Sequence, residues 1–151
     1  MGKADDAYTI MATGRMNCAQ AILSNYSEIF GLNRNLALQL AQGFGGGMGH
    51  TGKTCGAVTG AYMVLGLANK ISGSNPREGL EKTYGLINEF NCKFQELHSS
   101  IICKELIGYD LSTQEGLAEA RNKSIFTTVC PDFVRDSVKI LDTLLQIKET
   151  L

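Results

Sequence analysis

Apolar residues recur at three- and four-residue spacing along most of the chain, and no segment shows the sustained two-residue alternation of a strand. The pattern predicts an all-α, single-domain bundle of about six to seven helices spanning residues 1–151. The first helix is expected to start near Asp5 and Asp6, acids suited to a positive helix N-terminus, and to stop before Gly14. Asn17 reads as an N-cap, so Cys18 opens a second helix carrying Cys18, Ile22, Tyr26, Ile29 and Phe30, closed by Gly31. A third runs from Asn33 or Asn35 to Gln42, with Leu36, Leu40, Ala37 and Ala41 in period. A glycine-rich loop then leads into a core helix that opens near Thr54 and Cys55 and carries Val58, Ala61, Tyr62, Leu65 and Ala68. Lys70 to Pro76 is the clearest linker, too short for a domain boundary.

Asn75-Pro76 pairs a capping residue with proline at the first helical position. The helix it opens presents Leu80, Tyr84, Ile87, Phe94 and Leu97 as a core stripe, with Cys92 well off it and His98 following it as a structural residue. Ser99 or Ser100 caps a short helix from Ile101 to Ile107, ended by Gly108, with Cys103 in its first turn. Ser112-Thr-Gln-Glu115 spells a capping box for a helix toward Asn122. Cys130-Pro131-Asp132 has the form of a last N-terminus with Cys130 at the cap, followed by Phe133, Val134, Val138, Leu141, Leu144 and Leu145.

Charge and composition remove several function classes. A formal net charge of -1 provides no basic field for nucleic acid or anionic membrane. The longest apolar run, Ala57 to Ala68, falls short of the roughly 18 residues of a membrane span. The N-terminal residues show no signal-type apolar run, so the expected location is cytoplasmic, where thiols stay reduced. Spare apolar helix faces would permit a homodimer.

Gly47 to Thr54 satisfies the phosphate-loop string G-x-x-x-x-G-K-S/T, with Gly47, Gly52, Lys53 and Thr54 in the nucleotide-binding positions. The context argues against it. Leu36 to Gly45 is a helix pattern rather than a delivering strand, and no alternation of strands and helices supplies the parallel sheet. The nucleotide module therefore stands as the alternative, beside a helical interaction protein whose cysteines are merely core.

The five cysteines carry the preferred reading. Cys18, Cys55 and Cys130 fall at predicted helix N-termini and Cys103 in a first turn, where free N–H groups and the helix dipole favour thiolate. Lowered pKa values and raised reactivity or metal affinity are expected at all four, with Cys92 incidental. No C-x-x-C is present, so the set can converge only through the fold. Convergent thiolates would suit an iron–sulfur cluster or zinc, or, without metal, a dithiol/disulfide cycle. His50 could add a ligand, a proton carrier or a donor to sulfur. Gly56 and Gly60 lie on one helix face at roughly 1 kcal/mol each against alanine, which implies close approach of another helix or a bound group.

Asn17-Cys18-Ala19-Gln20-Ala21, Phe44-Gly-Gly-Gly-Met48, Cys55-Gly56-Ala57-Val58-Thr59-Gly60, Cys103 and Cys130-Pro131 together resemble the C_GCAxxG_C_C family of redox-active proteins. The resemblance covers nearly the whole chain and implies that Cys18, Cys55, Cys103 and Cys130 are the family's four cysteines. Related helical regions also resemble the iron–sulfur-bearing part of split-Soret cytochromes, which implies a cluster. On this reading Gly45, Gly46, Gly47, Gly56 and Gly60, with His50, surround the bound group, and a redox partner is implied that no motif specifies.

Overall fold

The structure, a computed structural model, describes residues 2–70 and 75–148. Four of its helices begin where short polar side chains take up free backbone N–H groups. The Asn17 side chain accepts from Gln20 N–H at 2.9 Å while Gln20 Oε1 accepts from Asn17 N–H at 3.1 Å. Asn33 accepts from Leu36 N–H at 3.1 Å, Asn75 from Glu78 N–H at 3.3 Å, and Thr113 from Gly116 N–H at 3.0 Å. The resulting helices are α1 (Lys3–Ala12), α2 (Cys18–Tyr26), α3 (Arg34–Ala41), α4 (Gly56–Ala68), α5 (Pro76–His98), α6 (Cys103–Ile107), α7 (Gln114–Asn122) and α8 (Cys130–Leu145). Four-residue turns at Gly45–Met48 and Ile125–Thr128 join them, and there is no strand among the described residues. The all-α expectation holds.

α2 and α4 form the centre. A methyl group on Gly60 would lie 2.9 Å from Ile22 Cβ and 3.1 Å from the Ala19 carbonyl oxygen, so the two backbones meet at van der Waals distance. The face shared by Gly56 and Gly60 therefore serves helix approach. α8 lies along α1 and also packs on α4 and α5. The Tyr26 hydroxyl reaches across from α2 to donate to Asp142 Oδ1 at 2.6 Å.

Several local expectations are corrected. The second helix ends at Tyr26; Ser27 bonds back to the Ser24 carbonyl and the chain tightens into a 3₁₀ turn, Glu28–Phe30, before left-handed Gly31, leaving Ile29 exposed. The capping box at Ser112 does not form: Asp110 captures Ser112 N–H at 3.0 Å and Thr113 becomes a simple cap one residue on. Leu80, Tyr84 and Leu97 of the expected stripe are exposed, whereas Phe90 and Phe94 are fully buried. Along the roughly 35 Å of α5 only Phe90 and Phe94 are fully buried. Its packed line is Phe90, Phe94 and half-buried His98, with Phe90 stacked on Phe94, Phe94 and His98 tilted against each other and both packed against Phe133, and His98 Nε2 2.9 Å from Asp136 Oδ2. Of the expected linker, residues 71–74 lie outside the described residues.

Candidate functional site

Each of the four cysteines sits at a helix start. Cys18, Cys103 and Cys130 are the first residues of α2, α6 and α8, and Cys55 is the N-cap of α4. All four are buried, and Cys92 is exposed. The close α2–α4 approach brings Cys18 beside Cys55: a methyl group on Gly56 would lie 3.0 Å from Cys18 Cβ. A short antiparallel stitch brings Cys103 in from the other side. Cys55 N–H donates to the Ile101 carbonyl at 2.8 Å, Cys103 N–H to the Lys53 carbonyl at 2.6 Å, and Thr54 bridges to Ile102. Gly47, at φ +66°, lies under Cys103.

These elements enclose a cavity of about 20 Å³ lined by the four cysteines, Gly46, Gly47 and Gly56, and closed by Leu106, Ile107, Phe126 and Phe133. That is little more than the room one water needs. An open cleft of about 510 Å³ lies outside it, and Cys18, Gly46 and Phe126 belong to both walls. His50 lines the cleft, stacked on Phe126 at 6.4 Å between ring centroids, and does not line the thiol cavity. Gly45 also belongs to the cleft, where a side chain would strike Asn17. Gly60 lines neither space. The hydrophobic closure by Phe126 and Phe133, and the cleft itself, carried no sequence signal beyond ordinary core spacing.

The expectation of lowered pKa values is met at Cys55 and reversed at Cys18 and Cys103. The Cys18 thiol donates toward Cys55, and that contact, helped by the N–H groups of Ala57 and Val58, holds Cys55 below the usual thiol value against its burial. Cys18 is pushed well up, first by its contacts with the Cys130 and Cys55 sulfurs and then by burial. Cys103 is pushed up to about 12, mainly by burial and then by the negative charge of Cys55 and Cys130. Thiols gathered in one buried space cannot all ionise, because each charge opposes the next.

The donor chemistry of the set suits a thiolate-bound metal. Its arrangement does not: no three His, Cys, Asp or Glu residues among the described ones are placed to hold a metal ion.

Four of the N–H groups in the phosphate-loop string are already taken. Gly49 and His50 N–H groups donate to the Gly45 carbonyl, Gly52 N–H to Gly46, and Lys53 N–H to Gly47 at 2.9 Å. A phosphate cradle requires these groups to be free. No helix among the described residues is long and apolar enough to cross a membrane.

No curated protein and no solved structure matches the sequence significantly. The family described as "Putative redox-active protein (C_GCAxxG_C_C)" matches over residues 16–144, which takes in all four cysteines and both walls of the thiol cavity. The chain belongs to the C_GCAxxG_C_C family.

Proposed function

We propose that the chain is a dithiol redox protein in which Cys18 and Cys55 exchange with a disulfide substrate presented from the outer cleft. The observation that carries this reading is the position of Cys18, which touches Cys55 inside the cavity and also forms part of the cleft wall. In the first step the Cys18 sulfur attacks one sulfur of the substrate R–S–S–R while its proton passes to the Cys55 thiolate. A Cys18–S–S–R bond forms, the substrate S–S bond breaks, and RS⁻ leaves. In the second step the Cys55 sulfur attacks Cys18, and its proton goes to the departing second RS group. Two electrons pass from the cysteine pair to the substrate. The products are a Cys18–Cys55 disulfide, RSH and RS⁻, and the exchange runs in either direction.

Cys103 stays protonated and packs the site from below, while Cys130 supplies a second acceptor for the Cys18 thiol. The second reading is a thiolate-bound iron–sulfur cluster or zinc. It is supported by the convergence of four cysteines from four helices and opposed by their arrangement.

Both are decided on protein purified without oxygen, assayed for iron, zinc and acid-labile sulfide and then equilibrated in thiol/disulfide buffers. Alkylation and peptide mass spectrometry should find a two-electron couple and a Cys18–Cys55 disulfide. The couple should vanish in Cys18→Ser and Cys55→Ser and persist in Cys92→Ser. Iron with sulfide, lost in Cys55→Ser, would replace the dithiol reading with the cluster.

A further inference from the structure

The outer cleft has a charge character that the thiol chemistry does not need. Arg15 and Arg121 both line it, together with His50, and no Asp or Glu does. Both arginines are exposed, and neither takes part in the ion pairs among the described residues, which join His98 to Asp136, Lys104 to Asp110 and Arg135 to Asp132. Met11, Met16 and Phe126 add apolar lining beside them. A concavity of about 510 Å³ lined by apolar side chains and two arginines has the size of a small-molecule site rather than a protein-docking face. Guanidinium groups at such a rim match carboxylates.

We infer that this cleft binds a low-molecular-weight thiol or disulfide bearing carboxylates, with the arginines holding the carboxylates and the sulfur turned toward Cys18. The assignment rests on the proposed exchange only for the identity of the reacting atom; the anion site stands on the arginines and the cleft. An apolar stem would lie on Met11, Met16 and Phe126. The sulfur would reach the wall formed by Cys18, Gly46 and Phe126, the shared boundary with the thiol cavity.

The test has two independent readings. Binding is measured by calorimetry on the full chain with S-methylglutathione, an anion that cannot exchange. It should bind, weaken about 10-fold in Arg15→Gln/Arg121→Gln, and weaken further as salt is raised. A Lys53→Gln control, off the cleft, should bind as the parent does. Exchange is measured as the rate at which Cys18 forms a mixed disulfide with glutathione disulfide, neutral bis(2-hydroxyethyl) disulfide and cationic cystamine. The anionic disulfide should react fastest, and the double variant should erase the order. No binding of S-methylglutathione, or binding unchanged in the double variant, overturns the anion site. Exchange at equal rates with all three disulfides would also overturn it, while leaving the thiol chemistry intact. Binding without exchange would keep the anion site and remove the thiol chemistry.

Discussion

Gly47→Ala tests whether the glycine loop is built to admit Cys103. At φ +66° an alanine costs about 1–2 kcal/mol for the left-handed backbone alone. The added methyl group would also stand 2.6 Å from Cys103 Cβ, 2.7 Å from Lys53 N and 2.9 Å from the Gly52 carbonyl carbon. Two of these three neighbours are backbone, held by the stitch between Lys53 and Cys103, so they cannot swing aside. Overpacking of this kind adds about 1–3 kcal/mol. The sum is roughly 2–5 kcal/mol, a large share of a typical domain's 5–15 kcal/mol. For a chain of this size that corresponds to a fall in Tm of about 5–15 °C. The comparison is Gly43→Ala, four residues earlier, where a methyl group would meet nothing within 4 Å. That variant should match the parent or gain a few tenths of a kcal/mol (roughly, from a less flexible unfolded chain). Urea denaturation under reducing conditions measures both, with timed alkylation of Cys103 beside it. The Gly47 variant should also alkylate faster at Cys103, because its Cβ is fixed by the backbone and the clash is relieved only by shifting the start of α6 and opening the cavity wall. Equal midpoints for the two variants would refute the packing argument.

Three further outcomes follow from other parts of the site. Cys103 has its folded pKa raised from 9.0 to about 12, so its contribution to stability is complete below pH 9 and is lost as pH rises toward 12, where the unfolded chain ionises and the folded one does not yet. Denaturation between pH 8 and pH 12 should show about 2–4 kcal/mol of this loss in the parent, the lower end allowing for solvent screening, and Cys103→Ala should lack it. Tyr26→Phe removes a buried hydroxyl that donates to Asp142 at 2.6 Å; a loss of about 1.5–3 kcal/mol is expected, and a loss under about 0.5 would contradict it. In the native fold iodoacetamide should modify exposed Cys92 first and the four buried cysteines slowly, and Cys92→Ser should abolish the fast phase; early modification of Cys103 would contradict the burial.

The sequence was legible at several places where the physics is local. Asn17 and Asn75 cap helices because a side-chain oxygen two or three residues from a free N–H needs no tertiary help, and this put Cys18 and Pro76 at helix starts. It failed where a distant partner decides. Leu80, Tyr84 and Leu97 fit the helical period, but period cannot say which part of an apolar stripe a neighbour covers, and the packed line proved to be Phe90, Phe94 and His98. The Gly-Lys-Thr string was ambiguous in one dimension, because only the fold shows that Gly52 and Lys53 spend their N–H groups on Gly46 and Gly47.

The cysteines combine both cases. A helix N-terminus favours thiolate at each position taken singly, and on that rule Cys18, Cys55, Cys103 and Cys130 are equivalent. Burying them around one small cavity removes the equivalence, since a charge at Cys55 raises the cost of a charge at Cys103 and turns Cys18 into its donor. The proton that Cys18 keeps is then the one the proposed exchange would move, and it sits on a residue that lines the cleft. The predicted helix starts place each thiol singly, the fold brings the four to one cavity, and the division of labour among them arises from thiol hydrogen bonds and burial, with mutual repulsion added. Replacing Cys18 with alanine should therefore raise the Cys55 pKa although nothing at the α4 N-terminus has changed, and a pH profile of Cys55 alkylation that did not move would restore the helix terminus as its main cause.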